Sequence, residues 1–171
     1  MSWESLDRSA VSAIGLMISV ALGVLFAAAP VAVAGDWAQG QRIWAEKNVC
    51  TECHGWSGDG IGGADRNAPS LRQTQLTRDQ IREAIQCGHR GTEMPYFDRF
   101  AYRDKRCYGV TAEELGDQMP NRAPATLQSY EIDALADYIA TKVKGAGPTT
   151  RAQCLAFFGG GGSRCDNYPD R

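Results

Sequence analysis

Two thiols and an imidazole stand close together in the stretch Cys50-Thr51-Glu52-Cys53-His54. This C-x-x-C-H spacing is the attachment signature of a c-type haem. Two intervening residues place both sulfurs on one turn, where each can add to a vinyl group of the porphyrin. The adjacent histidine then lies under the iron and can donate a ring nitrogen. The motif predicts one covalently attached haem c, held by Cys50 and Cys53, with His54 as an iron ligand.

Other uses of paired cysteines fit this sequence less well. A thioredoxin-like pair needs a βαβ context and does not need the histidine. A zinc site needs a second Cys/His pair at ligand spacing. The other histidine is His89, and the remaining four cysteines are scattered singly. The sequence contains neither a second C-x-x-C-H nor an internal repeat, so one haem is expected.

The second iron ligand is predicted to be Met94. A thioether is a soft, neutral ligand that favours ferrous iron, so methionine opposite histidine raises the reduction potential. Pro95 follows and stiffens the loop that presents the sulfur. Met119 also precedes a proline. It remains an alternative, and so does His89, which would give a bis-imidazole haem.

Pro69 is predicted to orient the histidine. It follows a glycine-rich loop, in a rigid segment whose carbonyl can accept the N–H on the far side of the His54 ring. Such a bond fixes the imidazole and makes it a better donor.

Helices are predicted to position these groups. A helix over 36–48 is capped by Asp36, and one over 77–87 begins at a Thr77/Gln80 capping box and ends at Gly88. A short helix starts at Thr111. The clearest helix covers 130–144, with Ser129 as its cap and one apolar face formed by Ile132, Leu135, Ala136, Ile139 and Val143.

The N-terminal segment indicates in which cellular compartment the protein resides. Residues 9–35 are uncharged and largely apolar, and they end in Ala32-Val33-Ala34. This A-x-A pattern predicts a signal peptide over 1–34. A retained membrane anchor is the alternative, because the run is long enough to span a bilayer. Both predict that the rest of the chain is periplasmic, with membrane association only if the segment is retained. The net charge of −2 gives no indication of a nucleic-acid partner.

The order of these features resembles that of the class I c-type cytochromes. The features are the C-x-x-C-H motif, Pro69, Gly88, Met94-Pro95 and a last helix with Leu135 and Tyr138. The resemblance covers most of 36–144. It implies an all-α cytochrome c fold, with three to four core helices around one haem and with the first and last helices crossed. Gly40 and Trp44 would then meet Leu135 and Tyr138. It also implies a His–Met iron.

The chain departs from compact members of that family in two places. Within a cytochrome c domain over 35–145, an insertion at about 98–128 separates the last helix from the loop that contains Met94-Pro95, called the methionine loop. A glycine-rich tail, flexible in composition, occupies 146–171. Outside the cytoplasm, four further cysteines suggest disulfides, and four allow three connectivities. We favour Cys87–Cys107 and Cys154–Cys165. The aromatic residues in and just before the insertion either shield the haem edge or pack the insertion.

The sequence therefore predicts an electron carrier rather than an enzyme. A six-coordinate iron transfers single electrons between redox proteins, here a periplasmic dehydrogenase, a terminal oxidase or both. One alternative is a dedicated cytochrome subunit or acceptor of a quinoprotein alcohol dehydrogenase. Another is an open-site haem sensor or peroxidase, which carbon monoxide binding would reveal.

Overall fold

A computed structural model describes residues 36–61, 68–160 and 163–170. The predicted signal peptide over 1–34 lies outside these ranges. Six α-helices follow one another in them: α1 Trp37–Lys47, α2 Thr51–His54, α3 Arg78–Cys87, α4 Ala112–Leu115, α5 Ser129–Tyr138 and α6 Arg151–Phe157. A π-helical segment, Ile139–Val143, continues α5, and 3-10 turns occupy Leu71–Gln73, Gly116–Gln118 and Ser163–Cys165. Within the described ranges, β-pairing is limited to isolated bridges.

The helix starts follow from their capping residues. Asp36 accepts the Gln39 N–H at 3.0 Å at the start of α1, and Thr77 and Gln80 form the predicted capping box of α3. The predicted cap of the last helix was wrong. Glu131 reaches back to the Gln128 N–H at 2.9 Å, so Gln128 is the N-cap and Ser129 is already the first helical residue.

The first and last helices cross at a glycine. A Cβ on Gly40 would overlap the Ala134 carbonyl oxygen and lie 2.7 Å from the Tyr138 Cβ. One turn along α1, the Trp44 ring is 1% exposed, and its centroid lies 5.9 Å from that of Tyr138. The predicted crossing is present, with Ala134 rather than Leu135 directly over the glycine. Leu135 is fully buried in the same core.

Helix α3 packs on the other side of α5. Arg78 pairs with Asp133 at 3.0 Å and with Asp137 at 2.8 Å, and Arg82 pairs with Asp133 at 2.8 Å. The Asp133 carboxylate therefore joins α3 to α5. Ile81 and Ile85 bury the apolar stripe of α3 in the core that α1 and α5 share.

An ion pair between α1 and α5 should make stability depend on pH. Lys47 lies 2.6 Å from Glu131, whose side chain is 10% exposed. Burial raises the pKa of Glu131, but the bonds from Lys47 and the Gln128 N–H outweigh it, so the net pKa is below the ordinary 4.5. The carboxylate therefore stabilises the fold above about pH 4.5, and this contribution is lost as pH falls through the folded pKa.

Glu131→Gln should accordingly lower the free energy of unfolding by about 1–2 kcal/mol at neutral pH. The difference from the unsubstituted protein should shrink in acid, since both proteins then lack the charge. Denaturant unfolding at neutral and acidic pH measures it, with Glu113→Gln on exposed α4 as the control. A difference that stayed constant with pH would contradict the role of the ion pair.

The insertion has a small core of its own. Cys87 at the end of α3 is bonded to Cys107, and around them pack Ala101, Tyr102 and Leu115. These five residues are called the insertion cluster. The Tyr102 hydroxyl donates to the Cys87 carbonyl at 2.7 Å. The aromatic Tyr102 thus packs the insertion onto the domain, which is one of the two roles the sequence left open.

The tail is more ordered than its composition predicted. Thr150 and Gln153 form a capping box, and α6 follows. The disulfide between Cys154 and Cys165 ties this helix to the last 3-10 turn, and Phe157 packs against the main core. Both favoured disulfide pairings are confirmed. The described residues of the tail thus contain a helix and the expected disulfide, although the tail is flexible in composition. No helix in the described ranges is long and apolar enough to cross a bilayer.

Candidate haem site

The C-x-x-C-H motif forms one tight turn. The His54 N–H donates to the Cys50 carbonyl at 2.8 Å, so Cys50, which is the N-cap of α2, shares a single turn with Cys53 and His54. Cys50 and Cys53 lie outside both disulfides. Cys50 packs against the main core, where burial and then the nearby Cys53 raise the pKa of its thiol to about 12. A neutral thiol in apolar surroundings suits the edge of a porphyrin.

The histidine ring is held in one tautomer. His54 is 7% exposed, and its Nδ1 lies 3.0 Å from the Pro69 carbonyl oxygen. A carbonyl can only accept, so Nδ1 carries a proton, and in the neutral form of the ring the lone pair is then on Nε2. This is the bond that the sequence predicted for Pro69. It leaves the ring in the tautomer that an iron ligand requires.

A compact loop brings Pro69 to the histidine. Gly55 has φ +73°, and a Cβ there would overlap the Ile61 carbonyl oxygen. The Gly60 N–H donates to the His54 carbonyl at 2.8 Å. The Leu71 N–H donates to the Gly58 carbonyl at 2.8 Å, which joins the loop to the segment after Pro69. Glycine is needed here because the backbone approaches itself too closely for side chains.

The methionine loop is framed by α3 and the insertion. Gly88 ends α3 at φ +67°, and a Cβ there would lie 2.8 Å from the Met94 carbonyl oxygen. That oxygen accepts the His89 N–H at 3.1 Å, and the Met94 N–H donates to the Thr92 hydroxyl at 3.2 Å. Just beyond, the Tyr96 N–H donates to a carbonyl of the insertion at 3.0 Å. The position of Met94 is therefore well defined.

The three candidates for the second ligand differ in their surroundings. Met119 packs against the insertion cluster, and His89 is exposed with Nδ1 3.3 Å from the Arg90 carbonyl. Both line a cleft of about 930 Å³, whose described lining does not include Cys50 or His54. Met94 is half-buried, and in the part of the chain described it joins neither core cluster. These surroundings favour Met94 over its rivals, and its ligand role stays a prediction.

The sequence reasoning missed the residues that hold the loop from behind. Arg72, only 9% exposed, donates to carbonyls of the loop and of the tail. Thr149 of the tail contacts Ser57, and Trp56 contacts Tyr168. Trp56 is the second residue after the motif and could have been noticed, whereas nothing in the local sequence singled out Arg72.

The residues present fit a covalently attached haem. Two thiols share one turn, the adjacent imidazole has the right tautomer, and a glycine-rich backbone folds closely beside it. The family model described as "Cytochrome C oxidase, cbb3-type, subunit III" matches residues 35–112, a span that includes the motif and Met94. Over residues 35–112 this chain therefore matches the c-type cytochromes, and the cofactor that its motif fits is covalently attached haem c.

Several solved structures are similar to this chain. Oxidized cytochrome c6A from Arabidopsis thaliana is 21% identical over 67% of this chain and 97% of its own, with a TM-score of 0.44. The c-type cytochrome SorU from Sinorhizobium meliloti is 20% identical over 64% and 92%, with a TM-score of 0.38. A chain of the Kuenenia stuttgartiensis reducing HAO-like protein complex is 17% identical, with a TM-score of 0.43. That match covers 64% of this chain and 44% of the Kuenenia chain. No curated protein sequence gives a significant match.

Proposed function

We propose that this cytochrome carries single electrons between redox proteins outside the cytoplasm, with His54 and Met94 as the ligands of one haem iron. The observation that carries the proposal is the His54 Nδ1 to Pro69 oxygen distance of 3.0 Å, on the same turn as both cysteines. It means that the chain itself presets the ligand tautomer. A bound haem iron supplies a one-electron couple, whose potential the axial ligands and the surrounding polarity set.

The chain's own residues support electron transfer rather than bond chemistry. Pro69 holds the His54 ring in place, and the loop ended by Met94 and Pro95 is pinned to Gly88 and to the insertion. Groups fixed in this way move little between two charge states. A rigid ligand set on both sides excludes water and substrate from the metal, which disfavours a sensor or peroxidase.

The two disulfides support a location outside the cytoplasm. Cys87–Cys107 and Cys154–Cys165 are both formed, and structural disulfides of this kind persist in oxidising compartments. The expected partners are proteins of the same compartment, such as a dehydrogenase that donates electrons or an oxidase that accepts them. A brief encounter with a small interface suits such a carrier.

Absorption spectroscopy on protein made in a haem-ligating host tests the proposal. We expect a low-spin spectrum in both redox states, a weak long-wavelength sulfur-to-iron band when oxidised, and no carbon monoxide binding to the ferrous form at neutral pH. Pigment should stay with the protein in acidified organic solvent, whereas a Cys50→Ala/Cys53→Ala variant should release it. Carbon monoxide binding to the unsubstituted protein would instead indicate an open-site haem.

A further inference from the structure

We propose that the described part of the tail, residues 146–160 and 163–170, is a brace that fixes the orientation of His54 from behind the haem-attachment loop. Arg72 and Thr149 are its positioning residues. The inference rests on the proposed function in one respect, which is that His54 ligates the iron. It assigns a role to a tail that lies beyond the span matched by the family model.

Arg72 joins three parts of the chain through one buried side chain. Its Nη1 donates to the Ser57 carbonyl at 3.2 Å, three residues after the histidine. Its Nε donates to the Gly147 carbonyl at 2.6 Å, and its Nη2 donates to the Gln153 side chain at 3.1 Å. All these acceptors are neutral, and no carboxylate within the described ranges forms an ion pair with this guanidinium. The cation is therefore satisfied only while loop and tail stay together.

Thr149 makes the second connection through a chain of hydroxyl groups. Its hydroxyl donates to the Asp59 carboxylate at 2.6 Å, so it must accept from the Ser57 hydroxyl, 3.0 Å away. Both Thr149 and Ser57 are 8% exposed. The other Asp59 oxygen accepts the Ile61 N–H at 2.9 Å. The Thr149 hydroxyl of the tail thus binds the loop after His54 at two positions, Ser57 and Asp59.

An aromatic contact completes the brace. The Trp56 ring lies between the tail rings of Phe157, Phe158 and Tyr168, with centroids 5.3–5.6 Å away. Its Nε1 donates to the Tyr168 hydroxyl at 2.9 Å, while its carbonyl accepts from Trp44 Nε1 of α1 at 2.8 Å. The loop is therefore held between the first helix and the tail.

These contacts act on the histidine through the backbone. The loop from Gly55 to Ile61 sets where Gly58 lies, and Gly58 accepts the Leu71 N–H two residues after Pro69. Loosening the loop lets the Pro69 carbonyl move away from His54 Nδ1. A weaker bond to Nδ1–H makes the imidazole a poorer donor, which disfavours the ferric state. Loss of the brace should therefore raise the reduction potential, although no brace residue is a ligand.

The test uses substitutions that keep charge and approximate size in the full-length haem protein. Thr149→Val removes the hydroxyl, and Thr149→Ser restores it. Thr141→Val is the matched control, because within the described ranges the Thr141 hydroxyl donates to the Asp137 carbonyl one turn earlier and does not reach the loop. We expect Thr149→Val to raise the potential and to speed amide hydrogen exchange across residues 55–61. Thr149→Ser and Thr141→Val should behave like the unsubstituted protein.

Arg72→Lys provides an independent second variant. Lysine keeps the charge, but its single nitrogen cannot reach the separate acceptors in the loop and the tail at the same time. We therefore expect Arg72→Lys to raise the reduction potential and to speed amide exchange, as Thr149→Val does. Unchanged exchange and potential in both variants would overturn the brace. A shift shared equally by Thr141→Val would also overturn it. The exchange comparison is made between variants that carry the same haem, so an open-site spectrum would refute the proposed ligation while the difference in exchange between Thr149→Val and Thr141→Val still decides on the brace.

Discussion

Replacing Met94 with alanine should open one side of the haem. The half-buried side chain is presented by a loop whose backbone is pinned at His89, Thr92 and Gly88, so no neighbouring residue can move in easily to take its place. Loss of the thioether removes the ligand that favours ferrous iron. We expect a high-spin or ligand-accepting haem and a potential lower by on the order of 0.1 V, a fraction of the ~0.8 V range that axial ligands span.

The matched variant is Met119→Ala. Met119 packs against the insertion cluster, so its loss should cost stability, about 2–3 kcal/mol for a half-buried methionine, without altering the spectrum. Absorption spectra, carbon monoxide titration and potentiometry on both variants separate the two roles. If Met94→Ala kept the spectrum and potential of the unsubstituted protein while Met119→Ala changed both, the ligand assignment would be reversed.

Gly40→Ala should destabilise the whole domain. Alanine is favoured over glycine in a helix by about 1 kcal/mol, so an isolated α1 would be more stable with it. Here the new methyl group would overlap the Ala134 carbonyl oxygen and crowd the Tyr138 Cβ. Both contacts are to atoms that cannot rotate away, so the two helices must separate and the packing around Trp44 must loosen. We expect a net loss of about 3 kcal/mol or more in the free energy of unfolding.

Gln41→Ala is the control for this substitution. Gln41 is the next residue of α1 and is exposed, so alanine there tests helix propensity without the crossing. Denaturant unfolding of the haem protein, followed by far-UV circular dichroism and by haem absorption, should show Gln41→Ala unchanged or slightly more stable. Equal stability of Gly40→Ala and the unsubstituted protein would mean that the crossing tolerates a side chain.

The parts of the structure that sequence could predict are those with local causes. The C-x-x-C-H turn, the Thr77/Gln80 capping box and the glycine that ends α3 each depend on residues within one or two turns. The bond from His54 to Pro69 could also be anticipated, because the segment that contains Pro69 is rigid and follows the glycine-rich loop closely in sequence. The ligand role of Met94 stays a prediction, resting on loop geometry and on the surroundings of its rivals.

The tail could not be predicted because its order comes from distant contacts. Its glycines suggested flexibility, yet Arg72 reaches it across 75 residues at Gly147 and 81 residues at Gln153. Arg72 binds backbone carbonyls, which every residue has, so no acidic residue in the sequence marks its partners. The predicted N-cap of α5 was wrong for a related reason. Ser129 is the better capping residue by type, but the bond from Glu131 to the Gln128 N–H makes Gln128 the N-cap.

The division of the six cysteines has a consequence for how the protein must mature. Four form the disulfides Cys87–Cys107 and Cys154–Cys165, while the proposed thioether bonds require Cys50 and Cys53 to remain reduced until the porphyrin arrives. In a chain exported N-terminus first, those two thiols emerge before any of the other four. Oxidation catalysts can therefore pair them with each other before ligation. A heterologous host that oxidises faster than it delivers haem would accumulate colourless protein with a third disulfide between Cys50 and Cys53, which a reductant must open before haem can be attached.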